Sequence, residues 1–135
     1  MKKAIPIAVV LAVLALTSCD PVGVYEFWLN NKSDSTIFIV HRKYASEELL
    51  KTSVPPKTRN LFYSYVTING LHDLGKDFLR STDSLGVYTD TVNVTGIKKD
   101  YHERKAWSYR PESTSSIGRS GDNIYTLEVT NDDVD

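Results

Sequence analysis

The chain contains very little sulfur and few imidazoles. Its 135 residues include one cysteine, Cys19, and three histidines, His41, His72 and His102. A single cysteine excludes an intrachain disulfide, and the histidines do not follow the HxxxH or HExxH spacing of a zinc site. Gly118-Arg119-Ser120-Gly121 also departs from the Gly-x-Ser-x-Gly pattern of a serine nucleophile turn. We therefore expect no metal, no cofactor and no catalytic residues.

Long hydrophobic runs are also absent. Two lysines precede an apolar segment over residues 4–16, which is too short to cross the roughly 30 Å hydrocarbon core as a helix. Such a segment is typical of a signal peptide. Leu16-Thr17-Ser18-Cys19 follows it and resembles the bacterial lipobox, which is cut before a diacylated cysteine. The resemblance implies a lipoprotein signal peptide over residues 1–18 and lipidation of Cys19.

Two or more acyl chains hold a protein stably at a bilayer, so a lipidated Cys19 makes the membrane its first partner. Residues 19–23 then form the modified cysteine and a short tether, and residues 24–135 form one domain. Because four or five extended residues reach only about 15 Å, we expect the domain to lie close to the membrane surface.

An excess of positive charge is also absent. Removing residues 1–18 takes Lys2 and Lys3 from the 16 basic residues and leaves 14 against 17 acidic ones, a formal charge of −3. That balance gives no electrostatic support for nucleic-acid binding. A chain of this size can bury a core without disulfides, so we expect a monomeric domain.

Short runs with strand character, separated by turn residues, predict an all-β sandwich of about seven antiparallel strands. Residues 24–30 and 36–41 are expected to pair as a hairpin, the second being central and buried on both faces. Ser46 before Glu47-Glu48-Leu49-Leu50 is typical of a capped helical turn. Lys57, after two prolines, stands where a glycine would suit the turn.

Several segments together are similar to small cell-envelope lipoproteins of Bacteroidetes with an immunoglobulin-like sandwich, a family of unknown function. Besides the lipobox, they are Asn31 with Ser33-Asp34, Val54-Pro55-Pro56, Trp107-Ser108-Tyr109-Arg110-Pro111 and Tyr125-Thr126-Leu127-Glu128-Val129-Thr130. The resemblance implies a fold and an envelope location, and it supplies no catalytic residues.

The residues after Cys19 bear on orientation. Exported surface lipoproteins of Bacteroidetes typically carry a short acidic signal there, whereas this chain has Asp20-Pro21-Val22-Gly23, with one acid. We therefore favour a domain that faces the periplasm over one on the cell surface.

Aromatic residues are abundant, with eight Tyr and two Trp. Aromatic rings are favoured contacts in recognition surfaces, so Trp28 and Trp107 are candidate binding residues. The alternative is that both pack in the core between two sheets, which is common in sandwiches.

Three sites resemble the Asp-Ser/Thr sequon on which Bacteroidetes attach O-glycans. They are Asp34-Ser35-Thr36, Asp83-Ser84-Leu85 and Asp90-Thr91-Val92, and their acceptors are Ser35, Ser84 and Thr91. The alternative is ordinary turn chemistry, since Asp followed by Ser or Thr often begins a strand.

Two function classes remain. The first is a noncatalytic envelope module that binds a glycan or a protein partner at the membrane. The second is a small metal-assisted hydrolase, built on His72 with Asp73 and Asp77, or on His102 with its neighbouring acids. The two differ in whether the fold gathers histidines and carboxylates at one point.

Overall fold

The computed structural model of the protein describes residues 20–68, 70–116 and 119–134, so the predicted signal peptide and Cys19 lie outside the described residues. Within these ranges the chain forms eight strands in two four-stranded sheets. The strands are β1 (Gly23–Asn31), β2 (Ile37–Lys43), β3 (Leu49–Val54), β4 (Thr58–Thr67), β5 (Thr82–Asp90), β6 (Thr95–Gly96), β7 (Trp107–Ser113) and β8 (Gly121–Val129). The predicted all-β sandwich is confirmed, with eight strands in place of about seven.

Short 3₁₀ turns supply the only helical structure in the described ranges, at Gly75–Asp77, Arg104–Ala106 and Asn131–Asp133. None of the helices described is long and apolar enough to cross a membrane.

The first sheet has the strand order β4-β1-β8-β7 and the second has the order β3-β2-β5-β6. Neighbouring strands are antiparallel except for β1 and β8, which run parallel with Phe27 beside Tyr125. The first and last strands therefore form the centre of one sheet.

Buried and partly exposed side chains alternate along the central strands, and the buried ones form the core. Tyr25, Phe27 and Leu29 of β1 are fully buried, and so are their neighbours on β8, Tyr125 and Leu127. The rings of Phe27 and Tyr125 stack with centroids 5.2 Å apart. Stacked aromatic side chains thus fill the space between the sheets.

The predicted hairpin of the first two strands is wrong. β1 pairs with β4 and β8, and β2 pairs with β3 and β5, so the turn between them crosses from one sheet to the other. The physical reason lies at Asn31, whose buried side-chain amide binds the carbonyls of Ser35, Val54 and Pro55. These bonds turn the chain toward the second sheet.

The predicted helical turn after Ser46 is also wrong, because Leu49–Val54 forms the edge strand β3. Six residues pair with β2 there, which outweighs the weak tendency of so short a segment to nucleate a helix. β2 itself is central, as predicted, but only one face is buried, since Phe38 and Val40 are partly exposed. The turn prediction at Lys57 is confirmed by its φ of 57°.

Candidate ligand-binding groove

The predicted lipidation site lies outside the described residues, but the tether that follows it is partly described. The amide of Val22 donates to the Ser120 hydroxyl at 3.0 Å, and the amide of Gly121 donates to the Val22 carbonyl at 3.0 Å. The last part of the tether is therefore fixed to the domain.

The structure separates the two candidate tryptophans. Trp107 is 3% exposed and packs against Phe27 and Phe78, so it belongs to the core and to no exposed surface. Trp28 lies on the outer face of the first sheet, with the Arg59 guanidinium 4.4 Å from its ring centroid. Trp28 alone remains a candidate surface contact.

The three candidate glycan acceptors, Ser35, Ser84 and Thr91, are exposed. Ser35 lies in the turn after β1, Thr91 lies in the turn after β5, and Ser84 lies on β5 opposite Arg42. Each position leaves room for a modification, and none of these observations tests whether one is present.

The three histidines do not share one environment. His41 is buried at 1% exposure, whereas His72 and His102 are exposed. In residues 20–68, 70–116 and 119–134, no group of three or more His, Cys, Asp or Glu side chains is placed to hold a metal ion. The metal-assisted hydrolase stays a hypothesis without a located site.

A groove opens between the two sheets, on the side where β3 and β4 form the edges. Its larger part is open to solvent, has a volume of about 560 Å³ and is lined by Lys43, Tyr44, Tyr63, Tyr65, Arg80 and Ser81. A smaller adjoining part of about 240 Å³ shares Lys43 and Tyr63 and extends to Leu50, Leu61, Phe62 and Ser64. We call these two parts together the tyrosine groove.

A β-bulge in β4 places the aromatic wall of the tyrosine groove. Phe27 pairs with Tyr63, but the next residue of β1, Trp28, pairs with Leu61, so Phe62 is the extra residue. Phe62 and Tyr63 both lie near Phe27, with ring centroids 6.5 and 5.7 Å away. The bulge thus turns two consecutive aromatic side chains inward.

The cationic side of the groove comes from strand ends. β2 ends at Lys43, which follows the buried His41 by two residues and so lies on the same strand face. Arg80 and Ser81 directly precede β5, which pairs with β2 at Lys43 and Thr82. Neither Lys43 nor Arg80 forms an ion pair with another described residue.

Several buried polar atoms around the groove have no hydrogen-bond partner among the described residues. They include both ring nitrogens of His41, whereas the buried hydroxyls of Tyr65 and Ser81 neighbour each other. Burial raises the pKa of Tyr65 and lowers the pKa of His41, so both side chains are neutral near pH 7. Since most buried polar groups in proteins are paired, the two His41 nitrogens are an exception within this core.

A second polar cluster lies on the side of the core away from the groove, and its side chains bind one another. Asp73 forms a bidentate ion pair with Arg104 and accepts a hydrogen bond of 2.8 Å from the Tyr125 hydroxyl. The Arg104 interaction lowers the pKa of Asp73 to about 2. These groups hold the segment between β4 and β5 against the sheet, and we assign them a structural role.

Sequence reasoning missed the tyrosine groove, although single signals were present. Consecutive aromatic residues at Phe62 and Tyr63 are compatible with a bulge, but alternation alone places one of them outside. Tyr44 follows β2 and Arg80 precedes β5, and the sequence does not identify these two strands as partners. Their proximity depends on the pairing of β2 with β5.

No protein-family model matches the chain, and neither the curated proteins nor the solved structures include a match to it.

Proposed function

We propose that the protein is a lipid-anchored, noncatalytic module of the bacterial cell envelope that binds an acidic glycan in the tyrosine groove. The main observation is that three tyrosines and two cations without an ion-pair partner among the described residues, Lys43 and Arg80, converge on one open concave surface. Binding sites typically combine such aromatic walls with a few polar groups that orient the ligand.

The chemistry of the groove favours this class of ligand. The exposed ring of Tyr44 offers a flat apolar surface for the C–H face of a sugar ring. The hydroxyl of Tyr44, whose side chain is 72% exposed, can exchange hydrogen bonds with the hydroxyl groups of the sugar. Lys43 and Arg80 can pair with a carboxylate or a phosphate, for which arginine offers bidentate geometry.

The cellular setting of the proposal rests on the sequence. The lipobox resemblance at Cys19 supports membrane anchoring, and the resemblance to Bacteroidetes lipoproteins supports an immunoglobulin-like form of the sandwich and an envelope location. The single acid after Cys19 supports a domain that faces the periplasm, and exposed Ser35, Ser84 and Thr91 support O-glycosylation.

One observation favours a protein partner as the second candidate. β3 and β4 are edge strands, and Leu49 and Leu61 on them are 48% and 41% exposed. Exposed edge strands can pair with a strand of another chain. Crosslinking of the lipidated protein in its native envelope, followed by identification of the captured chain, tests this candidate.

Titration of the lipidated protein in nanodiscs with oligosaccharides tests the glycan proposal. We expect uronic-acid-bearing or phosphorylated sugars to bind, and neutral sugars of the same length to bind about tenfold more weakly. Arg80→Gln and Tyr44→Ala should each weaken binding of the acidic sugar by about tenfold, a loss typical of central contacts.

Lys51→Gln is the matched control, because Lys51 is an exposed cation on the outer face of β3. We expect its affinity to stay within about twofold of the wild type. Equal loss in Lys51→Gln and Arg80→Gln, or equal binding of neutral and acidic sugars, would contradict the proposal.

A further inference from the structure

The start of β1 lies at one end of the sandwich, together with the ends of β2 and β4 and the start of β8. β1 begins at Gly23, which pairs with Thr67 at the end of β4 and with Gly121 at the start of β8. In the second sheet β2 ends at Lys43, opposite Thr82. Tyr65 of the first sheet and Lys43 of the second line the same groove, so these strand ends lie at one end of the domain. We call it the tether end.

The chain leaves the tether end under close restraint. Val22 is hydrogen-bonded to Ser120 and Gly121, as described above. A side chain added to Gly23 would collide with the Gly70 carbonyl, and one added to Gly70 would collide with the Arg119 carbonyl. These backbone contacts fix Val22, so only Asp20 and Pro21 separate it from Cys19.

The restraint limits the distance between the domain and an acylated Cys19. Three residues span at most about 10 Å. The polar layer of each leaflet is roughly 5–7 Å thick. If Cys19 carries acyl chains in the hydrocarbon core, the tether end therefore reaches the headgroup layer.

Exposed apolar residues concentrate at this same end. Five of the eight large apolar side chains exposed in the described residues belong to it: Val22, Tyr44, Leu49, Val66 and Ile68. Tyr44 is 72% exposed and Ile68 is 68% exposed. Val22 precedes β1, Tyr44 follows β2, and Ile68 follows β4. Aromatic side chains such as tyrosine are enriched at membrane–water interfaces.

We propose that the tether end is a membrane-docking surface, whose occupant is the headgroup layer of the bilayer that holds Cys19. Val22 and Ile68 insert into that layer and hold the sandwich upright, with the Ser35 and Thr91 turns directed away from the membrane. Tyr44 lies at the outer boundary of the layer, where the tyrosine groove opens beside the membrane surface. The proposal rests on the lipid anchor of the proposed function.

The charges at this end specify the mode of docking. Acidic residues outnumber basic residues there: the basic residues are Arg42, Lys43, Arg80 and Arg119, and the acidic residues are Asp20, Glu47, Glu48, Asp83, Glu112 and Asp122. Apolar insertion rather than attraction to anionic lipid therefore carries the contact, so docking should persist on zwitterionic bilayers and at high salt.

The single native cysteine gives a direct test, because acylation of Cys19 leaves no free thiol. Tyr44→Cys, Ile68→Cys and Val92→Cys each introduce one exposed thiol for an environment-sensitive fluorophore. Val92, 87% exposed in the turn after β5, is the matched control at the opposite end. The labelled lipidated proteins are reconstituted into phosphatidylcholine vesicles that contain nitroxide-labelled lipid.

We expect labels at positions 44 and 68 to lose most of their fluorescence, with no recovery at high salt, while the label at position 92 stays bright. Flotation of the same vesicles, with Cys19→Ala as a soluble control, reports the anchor separately. Protein that floats while all three labels stay bright would overturn docking alone. Failure of the wild type to float would overturn the anchor and docking together.

Discussion

The residue that most directly links the two sheets is Asn31, the last residue of β1. Its amide nitrogen donates to the carbonyls of Ser35, Val54 and Pro55 at 2.8–3.0 Å. Its side-chain oxygen accepts from the amide and the hydroxyl of Ser33. One fully buried side chain therefore joins the turn after β1 to the turn between β3 and β4.

We expect Asn31→Ala to lower the free energy of unfolding by about 2–4 kcal/mol, because it leaves several buried polar groups without partners. Urea unfolding measures the effect. Asn30→Ala, which removes a partly exposed amide with one 3.5 Å contact to Glu128, should change stability by less than about 0.5 kcal/mol. Similar losses in both variants would show that the Asn31 bonds do not carry this role.

At the scale of elements, the segment between β4 and β5 is the one most dependent on side-chain contacts. Asp73 binds Arg104 and Tyr125, and the amide of Leu74 donates to the Tyr125 hydroxyl at 2.8 Å. Phe78 of the same segment is buried against Trp107. The ion pair and the buried ring together close the core on this side.

We expect Asp73→Asn to destabilise the protein by about 1 kcal/mol at pH 7, a modest effect because solvent screens a side chain that is 39% exposed. The folded-state pKa of about 2 lies below the ordinary value. The stabilisation is therefore present above about pH 4 and is lost as the pH falls toward 2. Urea titrations across this range should show the difference between wild type and variant shrinking toward acid.

Asp77→Asn is the control for this prediction, since the Asp77 side chain has no hydrogen-bond or ion-pair partner among the described residues. The free energy of unfolding of the Asp77→Asn variant should stay within about 0.5 kcal/mol of the wild-type value at pH 7. A difference between Asp73→Asn and wild type that does not vary with pH would contradict the ion-pair explanation.

Elements with strict alternation were predictable from the sequence. The alternating pattern indicates which side chains of β1 face inward, in Tyr25-Glu26-Phe27-Trp28-Leu29. The same holds for β8, in the segment from Tyr125 to Val129. Alternation does not report which strands are neighbours, so the parallel pairing of β1 and β8 and the crossing at Asn31 were not foreseen. β3 was missed because local capping signals at Ser46 favoured a turn that strand pairing overrides.

At the scale of the whole molecule, the proposed orientation in the envelope is open to a simple measurement. Val92→Cys places the only free thiol at the end opposite the tether. If the domain faces the periplasm, a polyethylene-glycol maleimide too large to cross the outer membrane should leave this thiol unmodified in intact cells. It should modify the thiol after the outer membrane is opened, and a gel shift measures the reaction.

A periplasmic protein with an exposed cysteine serves as the control for membrane integrity. Modification of Val92→Cys in intact cells, with that control unmodified, would place the domain on the cell surface instead.

The parallel pairing of β1 with β8 has a consequence for biogenesis. β1 is the first of the described strands in chain order, yet its central partner is the last of them. Contacts between residues so far apart in sequence form slowly, since a long loop must close before they stabilise the chain. The first sheet therefore cannot be completed until β8 is available to pair, and until then the inward face of β1 lacks its central neighbour.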